Sequence, residues 1–104
     1  MRIISRRKLR EFWEEHSSAR DAIESWYAFL NANDFVSPNQ LRKVFNHVDF
    51  IGDGICIFNI KGNDFRLITH MMYQWNVVFI LWIGTHADYD KLSEGDIKNL
   101  KKPK

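Results

Sequence analysis

The sequence predicts an α+β fold: an N-terminal helical hairpin and a short helix packed on a small, mainly antiparallel sheet, followed by a short C-terminal helix. Three observations predict it. Apolar residues recur at a helical period from Leu9 to Phe45. From Val48 onward the period falls to two. The apolar runs beyond that point are joined by short Gly/Asn turns, which link antiparallel neighbours.

Each element has its own reason. Met1–Ile4 reads as a short strand, with β-branched Ile3 and Ile4. Ser5 can cap a helix over 6–16, in which Leu9, Phe12, Trp13 and His16 form one stripe. Ser17-Ser18 offers a second cap, and a helix over about 19–31 carries Ala22, Ile23, Trp26, Tyr27 and Leu30 on one side. Ser37-Pro38-Asn39-Gln40 is a helix start: serine caps, proline takes the first turn, and glutamine three residues on closes a capping box. Val48–Ile51 and Ile55–Ile60 flank Gly52-Asp53-Gly54, a hairpin signal. Lys61-Gly62-Asn63 makes the next turn, 64–73 is a longer strand, and Gln74-Trp75-Asn76 turns again. Val77–Gly84 is apolar on both faces and reads as a central, fully covered strand. Thr85 caps a last short helix over 86–92. Residues 1–92 are expected to form one domain, with regular structure ending at Ser93-Glu94-Gly95 and residues 93–104 forming a basic, flexible tail.

Composition limits what such a domain can be. The chain has 104 residues, 45% hydrophobic and 14% aromatic, which suits one globular domain. A single cysteine, Cys56, leaves no disulfide framework and no cysteine-rich zinc site, and reads as an inert core thiol in a reducing, cytoplasmic setting. No apolar run approaches the roughly 20 residues of a membrane span, and residues 11–25 are charged where a secretory leader would be apolar. A soluble protein is expected. The net charge of +2 conceals an uneven layout. Residues 1–10 hold five basic groups and residues 98–104 hold four, with no acid in either; residues 11–97 keep six cations against all thirteen acids. Such a layout concerns partners more than fold.

Few residue groupings suggest chemistry. There is no Gly-rich phosphate loop, no nucleophile elbow, and no metal-ligand spacing among His16, His47, His70 and His86. On the strand over 64–73, Arg66 and His70 project from one face, roughly 13 Å apart; a face turned to water would be polar there in any case. Lys61 precedes the turn into that strand. It is either a solvated turn lysine or, with Arg66, one of two cations able to hold a phosphate. In Gly84-Thr85-His86-Ala87-Asp88-Tyr89-Asp90-Lys91, His86 and Tyr89 share a helical face at a helix N-terminus, where an anion is favoured and a histidine can move protons. Capping plus aromatic packing explains the same residues. Trp13, Trp26 and Trp82 fall on stripes or strands and read as core. Trp75, at a turn, reads either as packed back on the sheet or as a contact for a partner or a nucleobase.

The strings Phe58-Asn59-Ile60-Lys61-Gly62-Asn63-Asp64-Phe65-Arg66-Leu67, Val78-Phe79-Ile80 and Ile83-Gly84-Thr85-His86-Ala87-Asp88-Tyr89-Asp90-Lys91 resemble the HigB family of type II toxin–antitoxin toxins, within the RelE-like superfamily. Met1–Ser5, Leu9, Phe12-Trp13, Trp26-Tyr27 and Pro38 ahead of Leu41 and Phe45 extend the resemblance over about residues 1–92.

That resemblance implies a RelE-like fold and an mRNA interferase: a ribosome-dependent endonuclease that cuts translated mRNA and is held inactive by a HigA-like antitoxin. It implies no cofactor and no metal, because the RNA's own 2′-OH attacks the adjacent phosphate and the 5′-oxygen leaves. By the same resemblance Arg66 would hold the phosphate, Lys61 would assist, and His86 and Tyr89 would position RNA or move protons. His70 and Lys91 are expected to bind RNA. Arg6, Arg7 and Lys8, in the basic N-terminal run, are expected to dock on ribosomal RNA with salt-sensitive affinity. The free toxin is expected to be a monomer. A non-catalytic RNA- or ribosome-binding module of the same fold is the alternative, and a protein-interaction domain with basic ends is a third reading that has no need of Lys61, Arg66, His86 and Tyr89.

Overall fold

The computed structural model describes residues 1–101. In chain order the elements are β1 (Arg2–Ile4), α1 (Arg6–Glu15), α2 (Arg20–Ala32), α3 (Pro38–Val44), β2 (Asp49–Phe50), β3 (Ile55–Ile60), β4 (Phe65–Met72), β5 (Val77–Thr85), α4 (His86–Asp90) and α5 (Glu94–Asn99). The five strands form one sheet in the order β1-β5-β4-β3-β2, in which only the β1–β5 pair is parallel. The expected α+β arrangement is present, on a mainly antiparallel sheet.

Two of the helices, α1 and α2, start by different devices than the sequence suggests. Ser5 does not cap α1: it sits in the left-handed region at φ 74 and makes the sharp turn from β1, with its carbonyl accepting from Lys8 N–H at 3.1 Å. Ser17–Ala19 form a 3-10 turn that leads directly into α2, so no side chain caps that helix. Ser37 does cap α3, accepting from Gln40 N–H at 3.3 Å. The reciprocal half of the expected box is displaced by one residue, because Gln40 Oε1 accepts from Val36 N–H at 3.0 Å.

Strand alternation gives the sheet two apolar faces. On the first, Phe58, Ile60, Phe65, Leu67, Met71, Val78 and Ile80 meet Leu9, Ile23, Trp26, Leu30 and Leu41 from the three N-terminal helices. On the second, Ile55, Ile57 and Ile68 meet Ile97 of α5, with Leu92 and Leu100 beside it. Helix α5 lies in the segment expected to be a flexible tail. Ser93 caps it, accepting from Asp96 N–H at 3.0 Å while Asp96 Oδ2 accepts from Ser93 N–H at 2.9 Å. Lys102–Lys104, the rest of that expected tail, lie outside the described residues. Cys56 is buried on the first face as expected; burial pushes its thiol up to about 11, so it stays protonated at neutral pH.

Strand β5 departs from the fully covered strand the sequence predicts. β1 pairs only with Val77–Phe79. The β4–β5 register shifts between Ile68 and Thr69, where Trp82 and Ile80 stand opposite and Leu81 is the extra residue. Past Phe79 the β1-side edge is flanked by α1, from which the Lys8 ammonium donates to the Leu81 carbonyl at 3.2 Å. Val78, Ile80 and Gly84 are buried; Leu81, Trp82 and Ile83 are only half covered. No helix among the described residues is long and apolar enough to cross a membrane.

Candidate active site

The second face carries the candidate groups of β4, because Arg66 and His70 alternate with Leu67 and Met71 and so point away from the first core. The Arg66 guanidinium donates to the carbonyls of Asn63 and Phe65, at 3.2 and 3.3 Å, which fixes it at the start of the strand. Its central carbon lies 5.8 Å from the centre of the Tyr89 ring. Tyr89 reaches it from α4, which Thr85 begins by accepting from Asp88 N–H at 3.1 Å. Burial, with Asp49 adding its negative charge, pushes the Tyr89 phenol above the ordinary tyrosine range; Arg66 pulls the other way. Tyr89 therefore keeps its proton at neutral pH and can donate a hydrogen bond.

His86 opens the same helix, but its side chain turns along it: Nδ1 lies 2.9 Å from Asp90 Oδ2, four residues on. A carboxylate on Nδ1 orients the ring and leaves Nε2 as the nitrogen that faces a substrate. The N-terminus of α4 is not a free anion site. His86 N–H donates to the Asp64 carbonyl at 3.0 Å, and Asp88 N–H is held by Thr85.

Lys61 is joined to this region through the backbone. Asp64 N–H donates to the Lys61 carbonyl at 3.2 Å, and the Asp64 carbonyl in turn receives His86 N–H. Lys61 is exposed, in the left-handed region at φ 54, where a non-glycine residue costs about 1–2 kcal/mol.

The remaining expected contacts are scattered. His70 does not join Arg66: Ile68 stands between them on the strand, buried against Ile97. His70 instead stacks on Phe79, with ring centres 6.3 Å apart. Burial chiefly, and then Lys101, holds His70 below the ordinary histidine range, against the pull of Asp53. Lys91 is exposed, 3.8 Å from Asp88. On α1, which lies over the first face, Arg6 stacks on Tyr27 at 4.7 Å and Arg7 pairs with Glu11 at 2.6 Å. Lys8 alone of that run reaches β5. The structure thus brings Arg66 and Tyr89 into contact, ties the His86 and Lys61 backbones together through Asp64, and leaves His70, Arg6 and Arg7 elsewhere.

Sequence reasoning missed Asp90 as the partner of His86, although the spacing of four residues on a helix carries that signal. It also missed Asp49 on β2, whose negative charge acts on the Tyr89 phenol of α4. Trp75 is exposed on its turn, next to exposed Val36, and is not packed back on the sheet.

A family model described as HigB_toxin, RelE-like toxic component of a toxin-antitoxin system, matches residues 19–92. The chain is 27% identical over 95 residues to mRNA interferase HigB of Escherichia coli O6:H1 (strain CFT073), covering 89% of this chain and 92% of that protein. It is 23% identical over 92 residues to mRNA interferase toxin HigB of Escherichia coli K12, covering 86% and 88%. With the family model spanning most of the domain, including β3, β4 and the α4 string, the chain belongs to the HigB family of RelE-like toxins, the toxic components of toxin–antitoxin systems.

Proposed function

We propose that the protein is a ribosome-dependent mRNA endonuclease, restrained by a HigA-like antitoxin, that cleaves translated mRNA by attack of the RNA's own 2′-OH without a metal. The observation that carries this reading is the Arg66–Tyr89 contact on a half-covered sheet face. A fixed cation beside a protonated phenol suits a phosphate that gains charge as it is attacked.

In this reading Arg66 holds a non-bridging phosphate oxygen and Lys61 adds a second cation. The 2′-oxygen forms a bond to phosphorus and gives its proton to His86 Nε2, the ring being steadied by Asp90 through Nδ1. The bond from phosphorus to the 5′-oxygen breaks, and that oxygen takes a proton from the Tyr89 phenol. The products are a 2′,3′-cyclic phosphate and a free 5′-OH end. In this reading the charge stabilisation comes from Arg66 and Lys61.

Ribosome dependence is supported by how incompletely the site is assembled. Only Arg66 and Tyr89 touch, and Lys61 lies out on its turn, so an ordered RNA strand has to bring the groups to one phosphate. The basic N-terminal run, in which Arg6, Arg7 and Lys8 are all exposed, supports a salt-sensitive association with ribosomal RNA; His70 and Lys91 would act as outlying RNA contacts. The free toxin is taken as a cytoplasmic monomer.

The test is induced expression followed by mapping of mRNA 5′ ends, with purified protein assayed on naked RNA and on translating ribosomes. Cleavage only on ribosomes, abolished in Arg66→Ala, is the expected result. Growth arrest without new 5′ ends would favour the non-catalytic ribosome-binding reading. Efficient cutting of naked RNA would remove the ribosome from the mechanism.

A further inference from the structure

The indole of Trp82 has no part in the steps above, and its setting differs from that of a core residue. β4 and β5 pair with Arg66 opposite Gly84 and Ile68 opposite Trp82. These four residues share one face as a square. Gly84 contributes no side chain, so the corner beside Arg66 is open, and the six-membered ring of Trp82 fills it. A Cβ on Gly84 would stand 2.4 and 2.5 Å from Cη2 and Cζ2 of that ring, well inside contact distance. Gly84 does not have a positive φ, so no left-handed turn requires glycine there. Its absent side chain is what lets the indole lie against the backbone.

From this position the indole faces the Tyr89 ring, with centres 6.4 Å apart and planes at 47°. Arg66 lies over the same tyrosine. Ile68 and Ile97 beneath are buried, yet Trp82 stays partly exposed. A rigid aromatic surface is thus held within one residue pair of the cation that would hold the phosphate.

We propose that Trp82 is a base-stacking residue of the RNA site, receiving the face of the nucleobase next to the phosphate bound by Arg66. This inference rests on the RNA-cleavage reading above. Every base offers a π-face, and one base–aromatic stack is worth about 1–3 kcal/mol. A purine covers more of an indole than a pyrimidine does, so cleavage is biased toward a purine at that position. Trp82 acts by positioning, and touches neither the attacking nor the leaving oxygen.

The test uses the full chain and one reporter mRNA on translating ribosomes, comparing wild type, Trp82→Phe, Trp82→Leu and Gly84→Ala. Cleavage sites are mapped at nucleotide resolution, and folding is followed by circular dichroism. Trp82→Leu should raise KM roughly thirtyfold, the middle of the range for one stack, and flatten the purine bias. Trp82→Phe should keep the bias. Gly84→Ala keeps the indole but pushes it off its seat, and should move both readouts in the same direction as Trp82→Leu. The double variant should be no worse than Trp82→Leu, because both lesions remove one interaction.

A folded Trp82→Leu protein with wild-type KM and an unchanged site distribution overturns the proposal. Should Trp82→Leu not fold, Gly84→Ala decides by the same criterion. A wild type that cuts no RNA overturns the cleavage reading itself, an outcome distinct from variants that cut as the wild type does.

Discussion

The two faces of the sheet arise from the same strands, yet they are closed to very different degrees. On the first face, α1 and α2, of 10 and 13 residues, press large side chains onto β3, β4 and β5, and Phe58 sits between Trp26 and Phe45 with ring centres at 5.3 and 5.0 Å. On the second, α4 and α5 have 5 and 6 residues and shield only Ile55, Ile57 and Ile68. Arg66, His70, Trp82 and Tyr89 are left at the margin of that cover. Alternation places apolar residues on both faces; helix length decides which face becomes sealed core and which keeps reactive groups in reach of solvent.

The comparison can be broken most severely from the sealed side. Phe58→Ala should cost about 3–5 kcal/mol, read as a lowered denaturant midpoint, because the surrounding rings cannot close the hole. Arg66→Ala is the counterpart on the open face. It should lower cleavage on ribosomes about 10²–10³-fold, equivalent to roughly 3–4 kcal/mol of transition-state stabilisation, with stability changed by no more than about 0.5 kcal/mol. If Arg66→Ala melted like Phe58→Ala, the division between the faces would be wrong. Ile97→Ala should fall between these in stability, near the low end of about 2 kcal/mol, since a thin cover can settle into the space.

Lys61→Gly sharpens the contrast, because stability and activity should move apart. Glycine accepts φ 54 without the penalty lysine bears, so stability should hold or rise by up to about 1 kcal/mol while cleavage falls. The smallest effect is the titration of Tyr89, followed by ultraviolet absorbance. Because its phenol is held above the ordinary range, its share of stability is complete below that range and is lost as alkaline pH passes the folded value. Arg66→Ala should move the transition further up, and Asp49→Asn should move it down.

Much of this division was readable before folding. The stripe from Leu9 to His16, the Ser37-Pro38 start and the alternation along β4 each point to one geometry, and the structure follows them. α5 was not read, because Gly95 and the lysines beyond it look like a break. The Ser93-x-x-Asp96 box was nevertheless present, with Ile97 and Leu100 placed to bury. Periodicity already sets His70 and Arg66 roughly 13 Å apart on one face; what that omission hid is that Ile97 packs against Ile68, the residue between them. The extra residue at Leu81 is visible only in the pairing with β4, so the half-covered state of Trp82 could not be read from an apolar run. Arg66 and Tyr89 were legible because alternation and a spacing of three residues fix where they point; what stands opposite Arg66, Gly84, depends on register.

The short reach of β1 has one more consequence. A strand whose edge lacks a partner is a template on which a second chain can add. Along β5 that hazard begins past Phe79, in an apolar stretch that a crowded or newly made toxin would present to its neighbours. Lys8 sits there, its ammonium on the Leu81 carbonyl. An incoming strand would have to displace that charge, and the helix α1 that carries it, before it could form its first hydrogen bonds along this stretch of β5.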